Sequence, residues 1–374
     1  MHNRSTSRSG ARTRASILTL AALTVVGVVA APLSAAAAPG DRTPDGPSWG
    51  TTESSADAPT GSDLSARGTA TGEWQWARVD GANRYEVAVN LNAPFTSAEV
   101  IYIASGQKYA DALSAGPAAY AQGGALLLTS RDSLPDVTRQ EILREKPKRI
   151  VVVGGTASVS DAVYQQLAAL KPDITRIGGA DRYEVSRNIL EYAFDGGVSN
   201  VFIATGNNFP DALAAGPAAG HLDGAVLLVN GWGAGLDAPT RQLLTDAGTQ
   251  TARIAGGVNS VNAQVEADLA ATVPSVLRYG GADRFAVAAN INLDVWQGQT
   301  EVAFIASGSV FPDALSTGPV AAAFDSPLFL TATACYPVPT VDAIWGSDLD
   351  PEVLVYVGGT NTLSQALIDD PRYC

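Results

Sequence analysis

The sequence predicts an α/β protein: three tandem parallel-sheet α/β repeats packed as a pseudo-threefold trimer within one chain. Three observations predict it. The first is self-similarity. The string Asp-Ala-Leu-x-x-Gly-Pro begins at Asp111, Asp211 and Asp313, in steps of 100 and 102 residues. Gly154-Gly155, Gly256-Gly257 and Gly358-Gly359 recur with it, as do Arg78, Arg176 and Arg278 and, six residues after each, Arg84, Arg182 and Arg284. The second is that the strand-like runs are apolar throughout, which calls for helices on both faces of a parallel sheet. The third is the repeat length of about 100 residues, enough for a small domain and too long for a short-repeat solenoid.

Taken in order, residues 1–36 read as a signal peptide. Arg4, Arg8, Arg12 and Arg14 precede the apolar run Ile17 to Ala31, and Ser34 to Ala38 supply small residues for cleavage. That run is shorter than the ~20 residues of a membrane span, so no span is expected after cleavage. Residues 37–76, rich in Gly, Pro, Ser, Thr, Ala and Asp, read as a disordered linker. The repeats are expected at 77–175, 176–277 and 278–374. In the first, Val100 to Ala104 is a buried strand and Asp111 to Gln122 an Ala-rich helix stopped by Gly123-Gly124. Ala125 to Thr129 is a second strand, Pro135 to Glu145 a helix with Pro near its start, and Arg149 to Val153 a third strand. Ser160 caps a helix to Lys171, Ile174 to Ile177 is a short fourth strand, and Ala180 to Phe194 is the helix that opens the next repeat.

Charge limits the partners. Removing 1–36 takes away four Arg and no acid, leaving 20 basic against 37 acidic residues, a net of −17 where the whole chain has −13. Such a surface repels nucleic acid and anionic lipid, so neither is an expected partner. His2 leaves with the signal, and His221 alone cannot build a multi-His zinc site. No metal, no cofactor and no catalytic residue are expected. Cys335 and Cys374, an even pair in an exported chain, are expected to form a disulfide.

Arg84, Arg182 and Arg284 are candidates for bidentate contact with phosphate or carboxylate; an interdomain salt bridge is the structural alternative. Asp181 and Asp283 stand at helix starts, as ligand contacts or as N-caps. Asp111, Asp211 and Asp313 follow a strand and Gly turn at the C-terminal sheet edge, where α/β sites gather; a helix cap is the alternative. The Gly-Gly pairs lack the Gly-x-Gly-x-x-Gly spacing, so close packing is the expected reason for them. Trp74, Trp76, Trp232, Trp296 and Trp345 do not recur at equivalent positions and are expected in core or interface.

Four stretches carry a family resemblance: Arg176-Ile177-Gly178-Gly179-Ala180-Asp181-Arg182-Tyr183, Ile203 to Leu213, Ala225 to Val229 and Ile254-Ala255-Gly256-Gly257. They resemble the cell wall-binding repeat type 2 family, tandem threes on Gram-positive surface proteins. The resemblance implies a three-domain trimer within one chain at the cell surface, held non-covalently on an anionic cell wall polymer. It implies anchoring through the Gly-x-Asp-Arg arginine and the Leu-Leu strand. Asn83 departs from the Asp of that motif, and Tyr109-Ala110 from Phe-Pro. The expectation is a binder, not an enzyme; a cell wall hydrolase or amidase-like accessory protein is the alternative.

Overall fold

The computed structural model describes residues 52–53 and 75–374. The expected signal peptide, most of the linker and Trp74 lie outside the described residues. In chain order, β1 (Thr52–Glu53) and β2 (Gln75–Val79) precede α1 (Arg84–Leu91). Unit one follows as β3 (Val100–Ser105), α2 (Ala110–Leu113), α3 (Ala115–Ala121), β4 (Ala125–Thr129), α4 (Asp136–Glu145), β5 (Arg149–Val153), α5 (Asp161–Leu170) and β6 (Ile174–Ile177). Unit two is α6 (Arg182–Ala193), β7 (Asn200–Thr205), α7 (Pro210–His221), β8 (Ala225–Val229), α8 (Ala238–Asp246), β9 (Thr251–Ala255), α9 (Ala263–Ala270) and β10 (Ser275–Tyr279). Unit three is α10 (Arg284–Val295), β11 (Val302–Ser307), α11 (Phe311–Ala323), β12 (Leu328–Thr331), α12 (Val338–Trp345), β13 (Val353–Val357) and α13 (Ala366–Asp369).

The expected fold class holds: three parallel sheets alternate with helices. Units one and two have strand orders β4-β3-β5-β6 and β10-β9-β7-β8. The third sheet, β1-β2-β13-β11-β12, takes its fourth parallel strand from the front of the chain. Gln75 to Val79 pair in parallel with Val353 to Val357, so the ends of the described fold close on one another. β1 adds an antiparallel edge to β2.

Residue alternation sorts the sheets of units one and two into two cores each, whereas both faces of the third sheet join the central one. In unit one Tyr102, Ala104, Leu126, Leu128, Val151 and Val153 face the large central core. Ile101, Ile103, Leu127, Ile150 and Val152 face an outer core with Val163 and Leu167 of α5. Both faces are covered, which is why the runs are apolar throughout.

The Asp-Ala-Leu-x-x-Gly-Pro repeat is explained by the centre of the molecule. Helices α3, α7 and α11 pack on one another there. A Cβ added at Gly116 would stand 3.4 Å from Pro319, and one at Gly216 3.9 Å from Gly318. These glycines, with Leu113, Leu213 and Leu315, surround a void of about 10 Å³, about the size of one probe sphere. Above it Tyr109, Phe209 and Phe311 form a triangle with ring centroids 5.5, 5.6 and 5.7 Å apart. Tyr109 thus fills the place of Phe, and its hydroxyl donates to the Asn207 carbonyl at 3.2 Å. The single helix expected over 111–122 is split at Ser114, whereas α7 and α11 run on. In all three copies Pro117, Pro217 or Pro319 lacks the N–H for the bond back to residue i−4.

Cys335 and Cys374 are joined in a disulfide with Cα atoms 5.7 Å apart. Next to it Tyr336 is fully buried and its hydroxyl bonds to that of Tyr356. The backbone of Tyr336 pairs with Arg372 and Cys374 at 2.7 and 2.9 Å, fastening the last residues to unit three.

Candidate interdomain clefts

The recurrent polar residues meet at the C-terminal edges of the sheets, where one unit touches the next. Each of α1, α6 and α10 follows the last strand of one sheet and packs on the sheet of the next unit: α6 lies on β8, α10 on β12 and α1 on β4. The first residue of each helix is therefore held between two units. Those residues are Arg84, Arg182 and Arg284.

All three arginines are half-buried and anchored alike. Nη1 of Arg84 donates to the Gly106 carbonyl, that of Arg182 to Gly206 and that of Arg284 to Gly308. The anchor is a backbone carbonyl of the following unit, not the carboxylate of an interdomain salt bridge. Arg182 also reaches the Tyr109 hydroxyl of unit one at 3.4 Å and lies 5.8 Å from the Tyr109 ring centre.

Asn83, Asp181 and Asp283 are the N-caps of these helices. Each side-chain Oδ1 accepts from the backbone N–H groups two and three residues on, at 2.9 Å for both Asp181 bonds. Asn83 performs the same task at 3.0 and 3.2 Å, so its departure from Asp leaves the cap intact. Glu86 and Glu184 accept from the N–H of Ala82 and Ala180, one residue before each cap, at 2.8 and 2.7 Å.

Asp111, Asp211 and Asp313 lie inside the first turn of α2, α7 and α11; none occupies the cap position. The cap alternative is therefore replaced by a different contact: each carboxylate lies against the turn that follows the third strand. Ser158 Oγ donates to Asp111 at 2.7 Å, Ser260 bonds Asp211, and Thr362 reaches Asp313 at 3.4 Å. Gly154, Gly256 and Gly358 form the floor, with φ of 95°, 121° and 121°. A Cβ at these positions would stand 2.4, 2.6 and 2.7 Å from the Asp oxygen. The first glycine of each Gly-Gly pair is thus set by left-handed backbone and by an adjacent carboxylate. Burial raises the Asp211 carboxyl above its ordinary range, against the opposing effects of Ser260 and Arg284. Burial raises that of Asp313 likewise, opposed by Thr362 and Arg84.

The arginine that opposes Asp211 and Asp313 comes from the next unit, and Arg84 closes the ring onto Asp313. The cleft between units one and two shows the whole arrangement, with a volume of about 530 Å³. Asp111, Ser158, Asp181, Arg182, Lys108 and Phe311 line it.

The other recurrent arginines are absorbed by structure. Arg176 bonds the carbonyls of Gly154 and Val159 at 3.0 and 2.8 Å, Arg278 that of Gly256 at 2.9 Å, and Arg78 those of Gly358 and Leu363 at 2.8 and 2.9 Å. Sequence reasoning missed Ser158, Ser260 and Thr362. Their shared position, four residues after the first glycine of each pair, was the available signal. Among the tryptophans, Trp296 is buried and Trp76 and Trp345 pack against the core. Trp232 overturns the expectation of a core or interface place: it is 67% exposed.

Comparison with known proteins fits this geometry. The family model described as Cell wall binding domain 2 (CWB2) matches three times, at 78–164, 176–266 and 278–368. The N-acetylmuramoyl-L-alanine amidase LytC of Bacillus subtilis is 31% identical over 255 residues, 68% of this chain and 50% of that protein. The amidase enhancer of the same organism is 29% identical over 193 residues, covering 52% of this chain and 26% of the relative. The chain thus spans half or less of the curated relatives it matches. Cwp8 from Clostridium difficile superposes with a TM-score of 0.71 at 26% identity, covering 78% of this chain and 50% of the other. Cwp6 from the same organism superposes with a TM-score of 0.72 over 79% and 48% of the two chains, at 23% identity.

Proposed function

This chain belongs to the Cell wall binding domain 2 family, and from that premise we propose that it is exported and attaches non-covalently to an anionic polysaccharide of the cell wall through the clefts between its units. One observation carries the reading. Arg84, Arg182 and Arg284 are each placed between two units at a C-terminal sheet edge, held through one guanidinium nitrogen, Nη1. The rest of the fork can meet a phosphate or carboxylate. Lys108 adds positive charge to the cleft between units one and two. Attraction on a chain of net charge −13 must be local, and these clefts are where recurrent basic side chains gather. Asp111, Asp211 and Asp313 lie against the glycine turns that form the floor of the clefts. Asp181 and Asp283 position the arginines through their caps.

The test is wall affinity and thermal stability on the same variants. Arg182→Ala with Arg284→Ala should weaken binding to purified walls by about tenfold, a loss of ~1.4 kcal/mol. The salt dependence should flatten at the same time. The Lys versions should recover part of the affinity, because Lys lacks the fork. Full affinity in the double Ala variant, or a loss explained by melting, sinks the proposal.

A further inference from the structure

Trp232 is the most exposed large apolar side chain among the described residues. It is also held in place. Its indole N–H donates to the Asn259 carbonyl at 2.9 Å, and its backbone N–H to Asn230 Oδ1 at 3.3 Å. Asn262 ties down the same loop through the Gly233 carbonyl at 2.7 Å and the Gly231 carbonyl at 2.9 Å. At Gly231 the approach is so close that a Cβ would fall 1.8 Å from the Ser260 carbonyl. A large apolar ring is therefore fixed in position, with its own donor satisfied and no protein covering it. Such preorganisation removes most of the ordering cost of binding a ligand.

The surroundings select the ligand. Around the ring are Asn230 and Asn259, both exposed, and half-buried Asn207, whose Nδ2 donates to Asn230 Oδ1 at 3.2 Å. A protein-docking patch would be expected to show an apolar core. Here one flat aromatic face stands among amides that both donate and accept, with Val258 of the neighbouring turn, 57% exposed, as a second and smaller apolar side chain. A pyranose has the matching form, an apolar C–H face edged by hydroxyls.

The ring's place in the fold supports a polymer. The 257–262 turn beneath it carries Ser260, which holds Asp211 in the cleft between units two and three. On the other side Asn207 accepts from Tyr183 at 2.9 Å, next to the Gly206 carbonyl that anchors Arg182. Asn207, Asn230 and Trp232 thus form a path across unit two from one cleft toward the next. Unit one has Asp132 at the corresponding step after its strand, so the platform belongs to unit two.

We propose that Trp232 is a stacking platform for an uncharged pyranose residue of the wall glycan, between two charge-binding clefts. This rests on the wall-binding reading above. The test uses the full chain and purified, protein-free walls as the probe. Trp232→Ala should weaken binding by about tenfold, in the range of an aromatic hot spot, and Trp232→Phe should keep most of the affinity. The melting temperature should fall little and equally in both variants, since a largely exposed ring leaves no cavity and each loses the same indole bond to Asn259; the salt dependence should keep its slope because Trp is neutral. Unchanged wall affinity in Trp232→Ala overturns the proposal. So does a loss of wall affinity in Trp232→Phe equal to that in Trp232→Ala, since both lack the indole hydrogen bond and only Phe keeps an aromatic face. The salt slope separates this from the arginine reading: arginine variants without effect beside a tenfold loss in Trp232→Ala leave the platform standing and remove the charge-binding clefts.

Discussion

Deleting everything before Asp80 should open the third unit, although the lost residues lie in front of the first. Val79 is 2% exposed, and burying such a side chain is worth about 2 kcal/mol. Arg78 makes two hydrogen bonds to carbonyls, at 2.8 and 2.9 Å, each worth about 1.5 kcal/mol at the low end for a charged donor. Together these approach 5 kcal/mol, comparable with the whole stability of a marginal domain. The five parallel residue pairs of β2 with β13 are lost in addition. Hydrogen exchange read by mass spectrometry tests this. Amides of Val353 to Val357 should lose protection first and those of Val302 to Ser307 next, while Val100 to Ser105 stay protected. A milder version compares Arg78→Ala with Arg176→Ala, since the two side chains bond equivalent turn carbonyls in units three and one. The first should loosen unit three and the second unit one. Unchanged protection at 353–357 in the truncated chain, or a loss centred on 100–105, would refute the closure argument.

Three further outcomes are expected. The Cys335–Cys374 bridge closes a span of 39 residues, worth about 4 kcal/mol in the chain-entropy account; Cys374→Ser should lower the stability of unit three, and the parent chain under non-reducing conditions should show no alkylatable thiol by intact mass. The raised carboxyls of Asp211 and Asp313 favour the protonated folded state. Their contribution is complete below the unfolded carboxylate value of about 3.9 and is lost as pH rises through the higher folded value. Denaturant titrations should then find Asp211→Asn less pH-sensitive than the parent across that window, with parallel curves refuting the assignment. Gly154→Ala meets both a φ of 95° and the Asp111 oxygen and should cost ~2 kcal/mol or more, whereas Gly155→Ala, with nothing within 4 Å of the new Cβ, should be close to neutral by thermal melting.

How far the sequence could be read depended on distance along the chain. Strands such as Ala125 to Thr129 and Ile174 to Ile177 appear at the expected residues, because an apolar run between glycines and polar turns is a local signal. Ser160 and Asp181 were visible as caps for the same reason. Gln75 to Val79 was not recognised as a strand, since its partner lies about 280 residues away and no local pattern encodes that pairing. The Asp of each repeat was identified, but its partner was not: Ser158 is 47 residues from Asp111. Trp232 departs from the expected core or interface place because absence from the other repeats carries no information about packing. Its exposure depends on how the 257–262 turn supports the loop, which is a tertiary matter.

The fold and the clefts have one origin. Had α6 folded back on the sheet that precedes it, Arg182 would have ended on a single unit's surface. Because α6 crosses to β8, its first residue lies where unit one supplies Asp111 and Tyr109 and unit two supplies the Gly206 carbonyl. The same crossing by α10 places Arg284 beside Asp211, and that of α1 places Arg84 beside Asp313. A lone repeat would then contain an Asp without its arginine and a helix without its sheet. Three copies, closed by β2 on β13, are what give every cleft both of its walls.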